Sequence, residues 1–104
     1  MRRSSGYGSG EGSDEAPRSE MLSQAVWRRI GAALGLSRRE LQVALCMLDH
    51  LSVLRTAKRL GITENTVHSH RARIYHKLGV YGPAGVVAKL FQAYVDLAER
   101  QGEA

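Results

Sequence analysis

The sequence predicts an all-α protein, a small helical bundle of one domain. Apolar residues after residue 20 recur at steps of three and four, which is the period of an amphipathic helix. No segment shows the strict alternation of apolar and polar residues that is typical of a strand. The chain has 104 residues, of which 43% are hydrophobic, and this is enough for one small core.

The first part of the chain lies outside this pattern. Residues 1–20 are mostly Gly, Ser and charged residues, with almost nothing apolar to bury. We therefore expect a disordered tail over 1–20 and a single domain over 21–104, with its core over 36–99. The glycines from Gly6 to Gly12 do not form a phosphate loop, because no strand precedes them and no Lys-Ser/Thr helix follows.

The first predicted helix covers residues 21–34. Its apolar stripe is formed by Leu22, Val26, Ile30, Ala33 and Leu34, and Gly35 is a plausible stop. Trp27 lies on this helix and either packs over the bundle or contacts a partner. Packing is the favoured role, because aromatic side chains dominate core energetics.

The second predicted helix, 38–50, is expected to be the central one. Ser37 and Glu40 have the spacing of a capping box, in which each side chain accepts a bond from an amide at the helix start. The helix is apolar on most sides, which is typical of a buried element. Cys46 is therefore assigned to the core, in line with the usual burial of free cysteines.

Two helices joined by a tight turn follow, over 53–60 and 64–78. Ser52 and Thr63 stand at the expected N-cap positions, and Gly61 between the helices permits a left-handed turn. A short helix, a Gly-containing turn and a longer basic helix form a helix-turn-helix. The second helix of such a unit enters the DNA major groove, and the first braces the DNA backbone.

The last predicted helix, 83–99, begins at Pro83. It carries apolar residues on several sides, which is more than one intramolecular face needs. We therefore predict a homodimer through this helix, although packing inside one bundle is the alternative. The predicted interface residues are Val87, Leu90, Phe91, Tyr94 and Leu97.

The charge distribution favours a polyanionic partner. The formal net charge is +5, and residues 55–77 alone contain six Lys and Arg residues against one Glu. A local basic cluster on a folded domain is typical of nucleic-acid binding, although a solvated helix face has the same composition.

Helical geometry divides the residues of 64–78 between the core and double-stranded DNA. Val67, Ile74 and Leu78 share the core side. The predicted contacts to DNA bases lie on the opposite side, and they are Asn65, His68, Ser69 and Ala72. The small side chain of Ala72 lets the helix approach the DNA closely. The predicted phosphate contacts are Thr66, Arg73 and Lys77, with Lys58 and Arg59 from the bracing helix.

The region 36–88 is similar to the LuxR-type (GerE-type) helix-turn-helix domain. The matching motifs are Leu36-Ser37-Arg38-Arg39-Glu40, Leu51-Ser52, Ala57-Lys58-Arg59-Leu60-Gly61-Ile62-Thr63-Glu64-Asn65-Thr66-Val67, His70-Arg71-Ala72-Arg73-Ile74 and Lys77-Leu78-Gly79-Val80. The resemblance implies the four-helix DNA-binding domain of bacterial transcription regulators, here with one extra N-terminal helix. It also implies that the helix 64–78 reads the major groove and that the helix 83–99 dimerises.

The bracing helix departs from the family pattern. The family usually has Asn-Lys-Glu-Ile-Ala where this chain has Val53-Leu54-Arg55-Thr56-Ala57, and it usually has Gly where this chain has His50. The apolar Val53 and Leu54 raise the alternative of a protein-interaction module that retains the fold. A promoter binder resembling sigma-factor region 4 is a further alternative, and the added last helix argues against it.

Other classes of function are disfavoured by composition. One cysteine cannot form an intramolecular disulfide or a Cys-based zinc site. His68 and His70 are two residues apart, so they project to nearly opposite sides of a helix and cannot share a metal ion. We therefore expect no metal or cofactor. Ser69 beside His68 is not a catalytic triad, because no third group orients the imidazole, and we predict no enzyme. We expect a cytoplasmic protein without a membrane partner, because there is no secretory signal and no apolar run of roughly 18 residues.

Overall fold

The computed structural model describes residues 16–103, with side chains over 16–101. Five α-helices and one short 3₁₀ helix make up this part of the chain, and no strand occurs within it. The 3₁₀ helix covers Arg18–Met21, followed by α1 (Gln24–Ala33), α2 (Arg38–Leu48), α3 (Val53–Leu60), α4 (Glu64–Leu78) and α5 (Pro83–Glu103). The prediction of an all-α bundle with one helix added before four others is confirmed.

The central element is α2, which packs against all four other α-helices. Its start is stabilised by the predicted capping box, in which Ser37 Oγ accepts from the Glu40 amide and the Glu40 carboxylate accepts from the Ser37 amide. The predicted core position of Cys46 is confirmed, since 3% of the residue is exposed, and burial raises the pKa of its thiol. The main core cluster contains Trp27, Ile30, Leu41, Val43, Ala44, Met47, Ile74, Leu78, Val86, Leu90 and Ala93.

The predicted first helix is interrupted in the structure. The chain forms the 3₁₀ helix Arg18–Met21, becomes extended at Leu22 and starts α1 at Gln24. Ser23 explains the break, because its side chain accepts a hydrogen bond from the Val26 amide as the N-cap of α1. The favoured packing role of Trp27 is confirmed, since it is 7% exposed.

The folded part of the chain also begins earlier than expected. Ser19 belongs to the segment predicted as a tail, yet its backbone amide and hydroxyl both donate to the carboxylate of Asp49. These contacts hold the 3₁₀ helix against the end of α2. The remainder of the predicted tail, 1–15, lies outside the described residues.

The ends of α2 and α5 also differ from the prediction. We expected a helix over 38–50, but α2 ends at Leu48 because the next residues turn away and His50 adopts a left-handed φ of 62°. We expected α5 to end at residue 99, but it continues to Glu103. The remaining helix bounds, those of α3 and α4, agree with the prediction.

Candidate nucleic-acid interface

The helix-turn-helix is formed by α3 and α4 around a left-handed glycine. Gly61 has φ 68° and ψ 36° at the end of α3, and the Ile62 amide then donates to the Ala57 carbonyl at 3.0 Å. Thr63 caps α4, because its hydroxyl accepts from the Thr66 amide at 3.1 Å. The turn is therefore closed by backbone bonds and a cap, which sets the orientation of α4 relative to α3.

The outer face of α4 carries the predicted base contacts. Val67, Ile74 and Leu78 are buried, as predicted, and anchor the inner face of the helix. The side chains that we assigned to base contacts are all exposed, namely Asn65, His68, Ser69 and Ala72. They follow one another at steps of three, one and three residues, so they lie together on the side of α4 that faces away from the core.

Two of the predicted phosphate contacts are exposed cations. Lys58 and Arg73 are exposed, and neither forms an ion pair with the residues over 16–101. Arg55, on the outer side of α3, shares these properties, although we did not assign it a contact. These three side chains place exposed positive charge on α3 and α4, which suits a polyanion.

The other predicted phosphate contacts have partners inside the chain. Lys77 Nζ lies 2.7 Å from Glu40 Oε1 and 3.1 Å from the Gly35 carbonyl oxygen. Arg59 Nη1 lies 3.5 Å from Asp49 Oδ2. The hydroxyl of Thr66, which is half-buried, lies 2.9 Å from that of Thr63.

The contact of Lys77 serves the fold, because its partner is a buried acid. The Glu40 side chain is 4% exposed. Burial acts to raise the pKa of Glu40. This effect is outweighed by the hydrogen bond from Lys77, the hydrogen bond from the Ser37 amide and the positive charge of Lys77. The pKa of Glu40 is therefore lowered from its ordinary value of 4.5. The geometry therefore assigns Lys77 a role in fixing α4 to the start of α2.

Arg71 belongs to the basic cluster of residues 55–77, and the structure gives it a role in positioning α4 that the sequence did not predict. Its Nη2 donates to the Leu51 carbonyl at 3.2 Å, which fastens α4 to the loop before α3. His70 beside it is half-buried, and its Nδ1 is buried. Helical periodicity places His70 and Arg71 between the inner and outer faces of α4, and this position is the sequence feature that indicates their partial burial.

An open apolar groove of about 420 Å³ runs along α5. Phe91 is 66% exposed, Tyr94 is 39% exposed, and Met21 from the 3₁₀ helix stands on the other side with 79% exposed. Residues that line the groove are Arg18, Met21, Leu22, Trp27, Leu48, Val87, Leu90, Phe91 and Tyr94.

The structure divides the five predicted dimer residues into two sets. Leu90 is 2% exposed and lies in the core of one chain, which corrects its assignment to the dimer surface. Leu97 is half-buried and packs against the same core. Phe91 and Tyr94 are exposed and Val87 is half-buried, so these three remain accessible.

The sequence of the region that contains the helix-turn-helix matches a known family. The family described as "Bacterial regulatory proteins, luxR family" matches residues 34–89, which is more than half of the chain. The chain belongs to the LuxR family. This match includes α2, α3 and α4 and the start of α5, whereas the 3₁₀ helix and α1 lie before it.

Two proteins of similar sequence are transcription regulators by name. The transcriptional regulatory protein UhpA of Escherichia coli (strain K12) is 36% identical over 59 residues, which are 57% of this chain and 30% of UhpA. A putative HTH-type transcriptional regulator in the exeN 3′ region of Aeromonas salmonicida is 37% identical over 82 residues, covering 77% of this chain and 40% of that protein. The chain thus spans less than half the length of these relatives, and no solved structure matches it significantly.

The LuxR match supports DNA-binding transcription regulation, and this family is a DNA-binding regulator domain rather than an enzyme class. Among the described residues, no three His, Cys, Asp or Glu side chains are grouped so that they could hold a metal ion. None of the helices over 16–103 has the length and apolarity to cross a bilayer.

Proposed function

We propose that this chain is a transcription regulator of the bacterial cytoplasm that reads the DNA major groove with the outer face of α4. The observation that carries the proposal is the division of α4 into a buried face and an exposed polar face at its N-terminal half. Side chains of Asn, His and Ser there can bond base edges, and the small Ala72 allows close approach to the groove. The proposed base contacts are Asn65, His68, Ser69 and Ala72.

The proposed phosphate contacts lie beside this face. Arg73 on α4 and Lys58 on α3 are exposed cations without an ion-pair partner over 16–101. Arg59 and Thr66 are retained as contacts, because half of the Arg59 side chain is exposed and Thr66 lies in the first turn of α4. Lys77 is left out of this set, since its ammonium already bonds Glu40.

The first experiment is fluorescence anisotropy of the chain on a random labelled duplex across a salt series. Contact with roughly 4–8 phosphates gives a log-log slope of about −4 to −7. Arg73→Ala flattens this slope by about 1 and weakens binding to all sequences alike. Arg29→Ala is the matched control, because Arg29 is an exposed arginine on α1, and α1 has no Cα atom within 8 Å of α3 or α4. Absent or salt-insensitive binding contradicts the proposal.

Selection from randomised sites tests the reading face itself. Ser69→Ala and His68→Ala relax the preference at one or two bases while the general affinity for DNA stays near that of the parent chain. An unchanged base preference in both variants contradicts the assignment of these two side chains.

We further propose a homodimer through the groove side of α5. Val87, Phe91 and Tyr94 follow one another at steps of four and three, which is the spacing of a helix–helix seam, and Phe91 and Tyr94 are exposed. Two-fold symmetry places DNA half-sites about one helical turn apart. Tyr94→Asp yields a monomer in light scattering, whereas Tyr81→Asp, at a fully exposed tyrosine outside the groove, leaves the dimer intact. A dimer that survives Tyr94→Asp contradicts this interface.

A protein-interaction module remains the second candidate, on account of Leu54. This side chain is 48% exposed on α3, where the family is usually polar. DNA binding that is absent at low salt, together with an intact fold, favours this candidate over the first.

A further inference from the structure

The carboxylate of Asp49, just after α2, accepts hydrogen bonds from two distant parts of the chain. The Ser19 amide lies 2.8 Å from Oδ1, and the Ser19 hydroxyl lies 2.7 Å from Oδ2. Arg59 Nη1, from α3, lies 3.5 Å from the same Oδ2. The Asp49 side chain is 4% exposed, so these groups largely replace water around its charge.

Ser19 and Arg59 both donate to Asp49 Oδ2, but at different distances. The contact of 2.7 Å is typical of a strong bond between a hydroxyl and a carboxylate, whereas a guanidinium that bonds a carboxylate closely lies about 2.7–2.9 Å away. At 3.5 Å Arg59 is at the outer limit of a hydrogen bond, and 49% of its side chain is exposed. Ser19 therefore holds the closer position, and Arg59 is held loosely.

Ser19 is itself fixed to the core by a third contact. The indole Nε1 of Trp27 donates to the Ser19 carbonyl, and Trp27 is buried in the main core cluster. The N-terminal segment is therefore attached at a defined point beside the helix-turn-helix. Ser19 and Trp27 both precede the region 34–89 that matches the family, so this attachment lies outside the family domain.

We infer that Asp49 is a positioning residue for Arg59, and that Ser19 sets how tightly Asp49 holds the guanidinium. With Ser19 in place, the loosely held Arg59 can turn toward a DNA phosphate. Without the Ser19 hydroxyl, the buried carboxylate draws Arg59 inward, because a buried charge needs a close partner. The N-terminal segment thereby regulates the contact of α3 with DNA. This inference rests on the proposed function, in which Arg59 contacts a phosphate.

The test compares DNA binding by Ser19→Ala with the parent chain across the salt series. The substitution removes the hydroxyl donor to Oδ2, so that Arg59 is the remaining donor to that oxygen, and it leaves the backbone donor to Oδ1 in place. We expect binding about two- to five-fold weaker, the size of one exposed ion pair, with a shallower salt slope. Ser19→Thr keeps the hydroxyl and restores the parent affinity. Ser23→Ala removes a serine hydroxyl from the same part of the chain without touching Asp49, and it leaves affinity unchanged.

A double-mutant cycle separates the proposed coupling from a general effect on folding. Arg59→Gln weakens binding on its own, and adding Ser19→Ala to that variant produces no further loss. An equal loss from Ser19→Ala with and without Arg59→Gln overturns the inference, as does an unchanged affinity in Ser19→Ala alone.

A readout without DNA distinguishes failure of this inference from failure of the proposed function. In the NMR spectrum of the free chain, Ser19→Ala shifts the Arg59 Nε–Hε signal and slows its exchange, since the guanidinium closes onto Asp49. A shifted signal in a chain that does not bind DNA supports the Asp49 coupling and overturns the proposed function. An unchanged Arg59 signal overturns the coupling, whatever the affinity for DNA.

Discussion

Lys77 Nζ lies 2.7 Å from Glu40 Oε1, although the two residues are 37 positions apart in the chain. The contact joins the last turn of α4 to the first turn of α2. Glu40 is buried and also completes the capping box of α2 with Ser37. One ion pair therefore links the helix that carries the proposed base contacts to the central helix of the core.

We expect Lys77→Ala to reduce the free energy of unfolding by about 1–3 kcal/mol, because it leaves a buried carboxylate without its cation. Arg73→Ala on the exposed side of the same helix should change stability by less than about 0.5 kcal/mol. Urea unfolding of both variants measures the difference. Equal stabilities of the two variants would contradict the structural role of Lys77.

Stability is expected to fall in acid through Glu40. The pKa of this carboxyl is lowered from 4.5 in the folded chain, so its contribution is fully present above 4.5 and is lost as the pH falls through the lowered value. Thermal unfolding between about pH 6 and pH 3 measures this loss. Glu40→Gln should unfold at a lower temperature at neutral pH and show a weaker dependence on pH. An identical acid profile in Glu40→Gln would rule out this group as a source.

Replacement of Thr56 should stabilise the fold. Thr56 is fully buried, and among the described residues its hydroxyl has no close hydrogen-bond partner, with only the Cys46 thiol, a weak acceptor, beside it. Thr56→Val keeps the shape and removes the unpaired group, so we expect a gain of about 1 kcal/mol in urea unfolding. Thr63→Val is the matched control with the opposite sign, since the Thr63 hydroxyl caps α4. A loss of stability in Thr56→Val would show that the hydroxyl is satisfied.

His50→Gly should also stabilise the chain. His50 has a φ of 62°, a left-handed conformation that costs residues with a Cβ roughly 1–2 kcal/mol. The greater freedom of glycine in the unfolded chain offsets part of this, leaving a gain of about 0.5–1 kcal/mol. His76→Gly, at an exposed position inside α4, should instead cost about 1 kcal/mol. Thermal unfolding that ranks the two variants in the reverse order would contradict the strain at His50.

Local signals in the sequence determined the helix-turn-helix. The caps Ser52 and Thr63 and the left-handed Gly61 act within three or four residues, so the bounds of α3 and α4 could be predicted from composition and spacing alone. The buried and exposed faces of α4 follow from helical periodicity, which is also a local property. The capping box at Ser37 and Glu40 was predictable for the same reason.

Only the tertiary structure decided which charged and apolar groups remain available. The Glu40 carboxylate binds Lys77, and the Asp49 carboxylate binds Ser19 and Arg59. Each of these partners is at least 10 positions away in the chain, so local sequence patterns do not predict the contacts. Leu90 belongs to the same apolar pattern on α5 as the exposed Phe91 and Tyr94, yet it packs into the core. Local periodicity specifies the direction of a side chain from its own helix, but the partner it meets depends on how the helices pack. The sequence therefore determined the bounds of α3 and α4 and the start of α2, and packing determined how the helix surfaces are divided between core, partner and solvent.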